Sequence, residues 1–136
     1  MLYLAYGSNL NKKQMSRRCP NALALDRYIL RSYKLEFRRV AHIRKTSNIR
    51  DQIACGIWKI TKSCERSLDI YEGFPHLYGK TQIILDDGRE VMTYFMNGGN
   101  VEAPSNEYFS TIMQGYKDFG LPLNLLKKVI QIYLSL

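Results

Sequence analysis

The sequence predicts an α+β fold, and three observations carry that prediction. Short apolar and aromatic runs with strand character recur through residues 2–60. Apolar residues at helical spacing dominate the last third, where Phe109, Ile112, Met113 and Tyr116 share one face. Between these regions, Asp86-Asp87-Gly88 separates the strand-like runs 78–85 and 90–96, a strong hairpin signal. No repeat, low-complexity segment or linker interrupts the 136 residues. One domain over 1–136 is therefore expected, long enough to bury a proper core.

The first strand, 2–6, is an apolar and aromatic run that Gly7-Ser8-Asn9 breaks with residue types that tolerate tight turns and cap helices. Residues 11–18 then read as a short polar helix closed by Pro20. A strand ending in a small-residue turn at a helix start leaves backbone N–H groups without partners. Together with the positive end of the helix dipole, they suit a carboxylate or a phosphate. The same pattern also fits an ordinary strand–turn–helix corner, and it is neither a dinucleotide fingerprint nor a Walker loop.

Residues 23–31 alternate loosely, with Leu23, Leu25, Arg27, Ile29 and Arg31 to one side, and Tyr33, Leu35 and Phe37 continue at period two. Two strands, or one long bent strand, are expected there. A short strand at 40–44 and a polar loop at 45–51 follow, then the most strand-like run of the middle, 53–60, in which Gly56 permits a bulge or a close backbone approach. Thr61-Lys62-Ser63 offers caps for a helix at 64–72, which Gly73 and Pro75 stop. After a Gly/Asn-rich loop at 97–104, Ser105 caps a helix that Gly120 ends. Pro122 opens the last helix, carrying Leu126, Val129, Ile130 and Tyr133.

Composition narrows the function classes. Apolar residues at 46% and charged residues at 24% are ordinary for a soluble globular chain. Met1 leads straight into a strand, and no apolar run approaches the roughly 20 residues of a membrane span, so a cytosolic protein without membrane contact is expected. Cys19, Cys55 and Cys64 show no C-x-x-C spacing, and neither histidine is near a thiol in sequence. Three reduced, mostly buried thiols are expected, with no metal and no disulfide framework. The net charge is +8, and Arg38, Arg39, His42, Arg44, Lys45 and Arg50 concentrate positive charge in one region. Such a patch can bind phosphates or steer anions, or it is simply a solvated strand pair and loop. Aromatics interleaved for base stacking are missing, so nucleic-acid binding is the minor reading.

Glu72 is the residue best placed for chemistry. Cys64, Leu68 and Glu72 follow one another at four-residue intervals, so the carboxylate extends an apolar helix face. The helix C-terminus and burial both disfavour its ionised form, as a general acid–base near neutral pH requires. The plainer alternative is an ion pair with a neighbouring Arg or Lys. Ser8 has no nucleophile-elbow context and no His–Asp pair to activate it. His76 either assists Glu72 or packs, and packing is the commoner role. Tyr78 and Tyr94 lie on adjacent strands from which hydroxyls can reach a pocket, although half-buried tyrosines are common in sheets.

With these pieces together, the chain resembles the gamma-glutamylcyclotransferases. The likeness rests on Tyr6-Gly7-Ser8-Asn9-Leu10, Tyr33-Lys34-Leu35-Glu36-Phe37, Gly56-Ile57-Trp58-Lys59-Ile60 and Ser67-Leu68-Asp69-Ile70-Tyr71-Glu72-Gly73. It continues at Tyr94-Phe95-Met96, Pro104-Ser105 with Tyr108, and Gly120-Leu121-Pro122-Leu123, in the family's order and nearly end to end. The resemblance implies a compact mixed β-barrel flanked by helices, with the active cavity at its mouth. It implies γ-glutamyl substrates from which 5-oxoproline is released when the substrate's α-amine attacks its own γ-carbonyl, with no enzyme nucleophile and no cofactor. Glu72 then aligns with the family's catalytic glutamate, the backbone of Gly7, Ser8, Asn9 and Leu10 would hold the glutamyl end, and Tyr6, Tyr78 and Tyr94 would line the pocket. Family members are often homodimers.

Two stretches depart from the longer animal-type members: residues 38–51 are more basic and shorter, and the chain stops soon after Tyr133. Neither touches Glu72 or the Gly7 turn. The substrate class stays open among γ-glutamyl amino acids, glutathione, γ-glutamyl-amines and acyl groups on a biosynthetic intermediate. Two other readings stand beside the enzyme: a non-catalytic small-ligand-binding module of the same fold, and a basic nucleic-acid-binding protein.

Overall fold

The computed structural model describes residues 1–134. In chain order the strands are β1 (Leu2–Ala5), β2 (Leu23–Arg31), β3 (Tyr33–Arg38), β4 (Val40–Lys45), β5 (Gln52–Lys59), β6 (Tyr78–Ile84) and β7 (Glu90–Met96). The helices are α1 (Lys12–Arg18), α2 (Lys62–Glu72), α3 (Asn106–Phe119) and α4 (Leu123–Leu134), and a 3-10 turn, Ser8–Leu10, lies between β1 and α1. Five strands form a mixed sheet in the order β2-β5-β1-β7-β6. β1 is its centre, antiparallel to β5 with Tyr3 opposite Trp58, and parallel to β7 with Tyr3 beside Met92. A central strand covered on both faces reads as a continuous apolar run rather than an alternation, and Tyr3, Leu4 and Ala5 are all buried.

The stretch 23–37 resolves into two strands. Ser32 breaks it with a left-handed φ of 65°, and the Ser32 N–H donates to the Asp51 carbonyl. A bulge between Ala24 and Asp26 disturbs the pairing of β2 with β5, and Leu23 and Leu25 are exposed. The period-two reading of Leu23 and Leu25 therefore follows an edge strand, where one face meets solvent. The β6–β7 hairpin pairs Tyr78 with Met96 through Ile84 with Glu90.

The sheet is open, which corrects the closed barrel implied by the family resemblance. β2 and β6 are its edges, and β3 and β4 pair only with each other. At the open seam the Asp86 N–H donates to the Tyr28 hydroxyl at 3.0 Å, a side-chain tie where closure needs a continuous backbone ladder. The break at Ser32 takes β3 out of the sheet. The β3–β4 hairpin is instead pinned by two other ties: the Met96 N–H donates to His42 Nδ1 at 2.9 Å, and at Glu102 the carbonyl accepts from the Arg39 N–H at 2.9 Å while the N–H donates to the Phe37 carbonyl at 3.0 Å.

The helices start and stop where their caps dictate. Thr61 Oγ1 accepts from the Cys64 N–H at the start of α2, and Gly73 ends that helix in the left-handed conformation. Ser105 caps α3 and Gly120 ends it. α3 lies against the 3-10 turn, and a Cβ at Gly115 would stand 2.6 Å from Leu10 Cβ and 2.8 Å from Asn11 N, so only glycine allows this approach. Cys19, Cys55 and Cys64 are buried and free. Among the described residues no helix is long and apolar enough to cross a membrane.

Candidate active site

The end of β1, the 3-10 turn and the end of α2 meet around a cavity of about 200 Å³. That is compact beside the roughly 300–1,000 Å³ of sites for drug-sized ligands. β1 delivers Tyr3 and then Tyr6 to the wall, and the chain turns at Gly7. A Cβ on Gly7 would come within 3.0 Å of Ala41 Cβ and 3.4 Å of the Tyr108 hydroxyl, so glycine lets the turn pass close beside β4. The turn closes with Leu10 N–H to Gly7 O and Asn11 N–H to Ser8 O, both 3.0 Å. Inside such a turn the first N–H groups, here those of Ser8 and Asn9, have no intrahelical partner. The start of α1 is otherwise engaged: Asn11 Oδ1 accepts from the Gln14 N–H, and the Lys12 N–H donates to Asp118 Oδ2, both at 3.0 Å. Of the turn expected from the sequence to hold an anion, Gly7 to Leu10, the Leu10 N–H is taken up in closing the turn.

Side chains fix the turn from several sides. Trp58 Nε1–H donates to the Asn9 carbonyl at 3.0 Å. Asn9 Nδ2 donates to the Tyr3 hydroxyl at 2.9 Å and to Glu72 Oε1 at 3.2 Å, while Asn9 Oδ1 accepts from Arg18 Nη1 at 2.7 Å. The Tyr6 hydroxyl donates to the Tyr94 carbonyl at 2.8 Å, and Ser8 Oγ and the Tyr71 hydroxyl lie 3.2 Å apart.

Glu72 sits at the end of α2, on the face that buries Cys64 and Leu68. Its carboxyl is raised from 4.5 to about 7. Burial is the cause; the Arg18 charge and the Asn9 hydrogen bond pull the other way without cancelling it. α2 is tied down close to this carboxyl. Asp69 accepts from the Tyr94 hydroxyl at 2.6 Å and from Lys80 Nζ at 3.0 Å, and Lys80 also reaches Glu65 at 3.0 Å. Opposite, the Tyr78 hydroxyl donates to the Ala41 carbonyl at 2.7 Å and the Ala41 N–H donates to the Tyr108 hydroxyl at 3.0 Å. Burial pushes the Tyr78 and Tyr94 phenols well up and Tyr108 to about 12, so they remain neutral.

Of the residues singled out from the sequence, Tyr6, Gly7, Ser8, Asn9, Glu72, Tyr78 and Tyr94 line this cavity together. Leu10 does not; its N–H closes the turn and its side chain is in the core. His76 is exposed and outside the cavity, with its carbonyl accepting from Asn97 Nδ2 at 3.0 Å. The cavity also takes in Tyr3, Val40, Ala41, Tyr71, Leu77 and Tyr108. Tyr3 precedes Tyr6 in the first apolar run, and Asp69 lies one helical turn before Glu72, so both had a signal in spacing; Tyr108 stood only in the motif Pro104-Ser105 with Tyr108, with nothing to place it in the cavity.

The basic region looks different in three dimensions. His42 is buried, accepts the Met96 N–H, and is pushed down to about 4 by burial and then by Arg38, so it carries no charge near pH 7. Arg38 is paired with Glu36 at 2.9 Å and with the Gly98 carbonyl at 2.9 Å. The patch expected from the sequence is therefore smaller than its residue count. Among the described residues, no group of three or more His, Cys, Asp or Glu is placed to hold a metal.

Chemically, the cavity offers a carboxyl poised to exchange a proton near neutrality, beside a turn of the kind that suits an anion. Comparison with known proteins agrees with the fold and the motif order. A family model described as gamma-glutamyl cyclotransferase, AIG2-like, matches residues 3–115. Gamma-glutamylcyclotransferases of Bos taurus and Homo sapiens are 30% and 29% identical, each alignment covering 94% of this chain and 76% of the relative. A solved structure named gamma-glutamyl cyclotransferase superposes with a TM-score of 0.82 at 29% identity, covering 95% of this chain and 85% of that one. The chain belongs to the gamma-glutamyl cyclotransferase, AIG2-like family.

Proposed function

We propose that this cavity is the active site of an enzyme of the gamma-glutamylcyclotransferase kind, which releases 5-oxoproline from a small γ-glutamyl compound. We read residues 1–136 as one such domain, working in the cytosol. The observation that carries the reading is the raised Glu72 carboxyl in a cavity that the Gly7, Ser8 and Asn9 turn also lines, with Asn9 Nδ2 3.2 Å from Glu72 Oε1. A half-buried carboxylate with a pKa near 7 can accept a proton from an α-ammonium and return it within one turnover.

In this mechanism the glutamyl α-carboxylate rests on the turn donors. Glu72 takes a proton from the α-ammonium, and the freed amine attacks the γ-carbonyl carbon. The N–C bond that forms closes the five-membered ring, and the tetrahedral centre collapses as the bond to the leaving amine breaks. Glu72 gives its proton to that nitrogen, and the surplus proton of the ring nitrogen follows to the released amine, which departs as an ammonium, so the carboxylate is restored and protons balance. Nucleophile and electrophile both belong to the substrate, so the protein's part is to fold it until they meet. The small cavity, walled by neutral phenols, favours that folded shape.

The test is to incubate the protein with γ-glutamyl dipeptides, γ-glutamyl-amines and glutathione and to quantify 5-oxoproline. Glu72→Gln keeps the shape and removes the base, and a folded variant is expected to lose about 10²–10⁴-fold in kcat. Unchanged turnover in that variant overturns the role of Glu72. Tight ligand binding without product from the wild type would make the protein a binding module instead.

A further inference from the structure

We propose that Arg18 is a positioning residue for Glu72, acting through the Asn9 amide and the Tyr71 ring. The inference rests on the reading of Glu72 as acid–base. Arg18 ends α1 outside the cavity lining, and three contacts fix its guanidinium plane. Nη1 donates to Asn9 Oδ1 at 2.7 Å, Nη2 donates to Gln14 Oε1 at 2.6 Å, and Cζ lies 3.5 Å from the centroid of the Tyr71 ring. A guanidinium only donates, so it can face only the oxygen of the Asn9 amide. The amide NH₂ is thereby turned toward the Tyr3 hydroxyl at 2.9 Å and Glu72 Oε1 at 3.2 Å. Without Arg18 the amide is free to flip and present its oxygen to the carboxylate, which repels it.

The second arm works through α2. Tyr71 precedes Glu72, and its hydroxyl is 3.2 Å from Ser8 Oγ. Stacking the guanidinium on this ring clamps the end of α2 to the adjoining 3-10 turn, to whose Asn9 Arg18 is also bonded. The charge matters as well. On its own helix Glu72 has Tyr71 beside it and Asp69 one turn before; from other segments come Tyr3 of β1, Tyr6 just after it, Tyr78 of β6, Tyr94 of β7 and Tyr108 of α3, these five being phenols held neutral by burial. Arg18 from α1 is the cation whose charge favours the ionised carboxylate.

Arg18→Met and Arg18→Lys, with thermal midpoints to check folding, test this by two readouts. The first is an NMR titration of ¹³C-labelled glutamate carboxyls, with Glu72 assigned by its loss in Glu72→Gln. In Arg18→Met the Glu72 midpoint is expected to rise by about one pH unit. Arg18→Lys is expected to keep a midpoint near that of the wild type, because the ammonium supplies charge but neither the fork nor the stacked plane. The second readout is turnover. The acid limb of kcat/KM is expected to follow the midpoint in Arg18→Met, and kcat is expected to fall about tenfold in both variants with KM little changed. A folded Arg18→Met whose Glu72 midpoint stays at the wild-type value overturns the proposal. So does Arg18→Lys with full kcat, should Arg18→Met fail to fold. The titration reads the coupling without turnover, so wild type that makes no 5-oxoproline while its midpoint still responds to Arg18 refutes the reaction and leaves the coupling standing.

Discussion

At the scale of single residues, Glu72 and His42 make opposite linkages between pH and stability. The folded Glu72 carboxyl is raised from 4.5 to about 7, so between those values the folded chain holds a proton that the unfolded chain has released. Its contribution to stability therefore falls as pH rises through that window. Glu72→Gln removes the cost. By thermal or urea unfolding at pH 8 the variant is expected to be more stable than wild type by about 1–2 kcal/mol, part of the cost being screened at a half-buried site. The gap is expected to close toward pH 4.5. His42 is lowered from 6.5 to about 4, because burial and then the Arg38 charge favour the neutral ring. Its contribution is present above 6.5 and lost as pH falls toward 4. His42→Gln should flatten that acid loss, as measured by unfolding midpoints between pH 4 and 7. The turnover profile has its own sign: kcat/KM is expected to rise with pH through about 7 as Glu72 becomes the free base.

At the scale of elements, α2 is the part that must be held still. Its N-terminal cap and its lateral ties are separable. Tyr94→Phe removes a 2.6 Å hydrogen bond to the Asp69 carboxylate. The loss is expected to cost about 1.5–3 kcal/mol in unfolding and to lower kcat, because Asp69 lies one turn before Glu72. Thr61→Ala weakens the far end of the same helix, where Thr61 Oγ1 accepts from the Cys64 N–H. That change is expected to cost about 1 kcal/mol while kcat is unchanged. Equal losses of kcat in the two variants would show that the whole helix, rather than the Asp69 tie, sets the carboxyl. These helix limits were legible in sequence because caps are local: Thr61, Gly73, Ser105 and Gly120 each act within a few residues of where they stand. The ties were not, because Tyr94 is 25 positions from Asp69 and nothing in either segment announces the other.

At the scale of the whole molecule, α3 braces the turn from behind. Asn11 Nδ2 donates to the Thr111 carbonyl at 3.2 Å, and Asp118 takes the Lys12 N–H. Gly115→Ala would place a methyl group 2.6 Å from Leu10 Cβ and 2.8 Å from the Asn11 backbone nitrogen, which cannot give way like a flexible side chain. It is expected to destabilise by about 1–3 kcal/mol and to lower kcat/KM by displacing the Ser8 and Asn9 donors. Unfolding and steady-state kinetics on one preparation check both effects. A variant with wild-type stability would mean that α3 can move away without cost.

The sequence by itself determined whatever is settled over short separations. It determined the α+β class, the run of β1, the hairpin around Asp86-Asp87-Gly88, the capped helices, and the placing of Glu72 on the buried face of α2. Period, capping and turn chemistry act between near neighbours, so they can be read along the chain. Only the tertiary structure decided how those pieces close. It left the sheet open where a barrel was expected, because the break at Ser32 sends β3 into its own pair. It withdrew His42 from the basic surface, moved Leu10 from the cavity to the core, and set the Glu72 carboxyl by burial against Arg18 and Asn9. Burial and the meeting of distant charges depend on which segments pack together, and that depends on the whole chain at once.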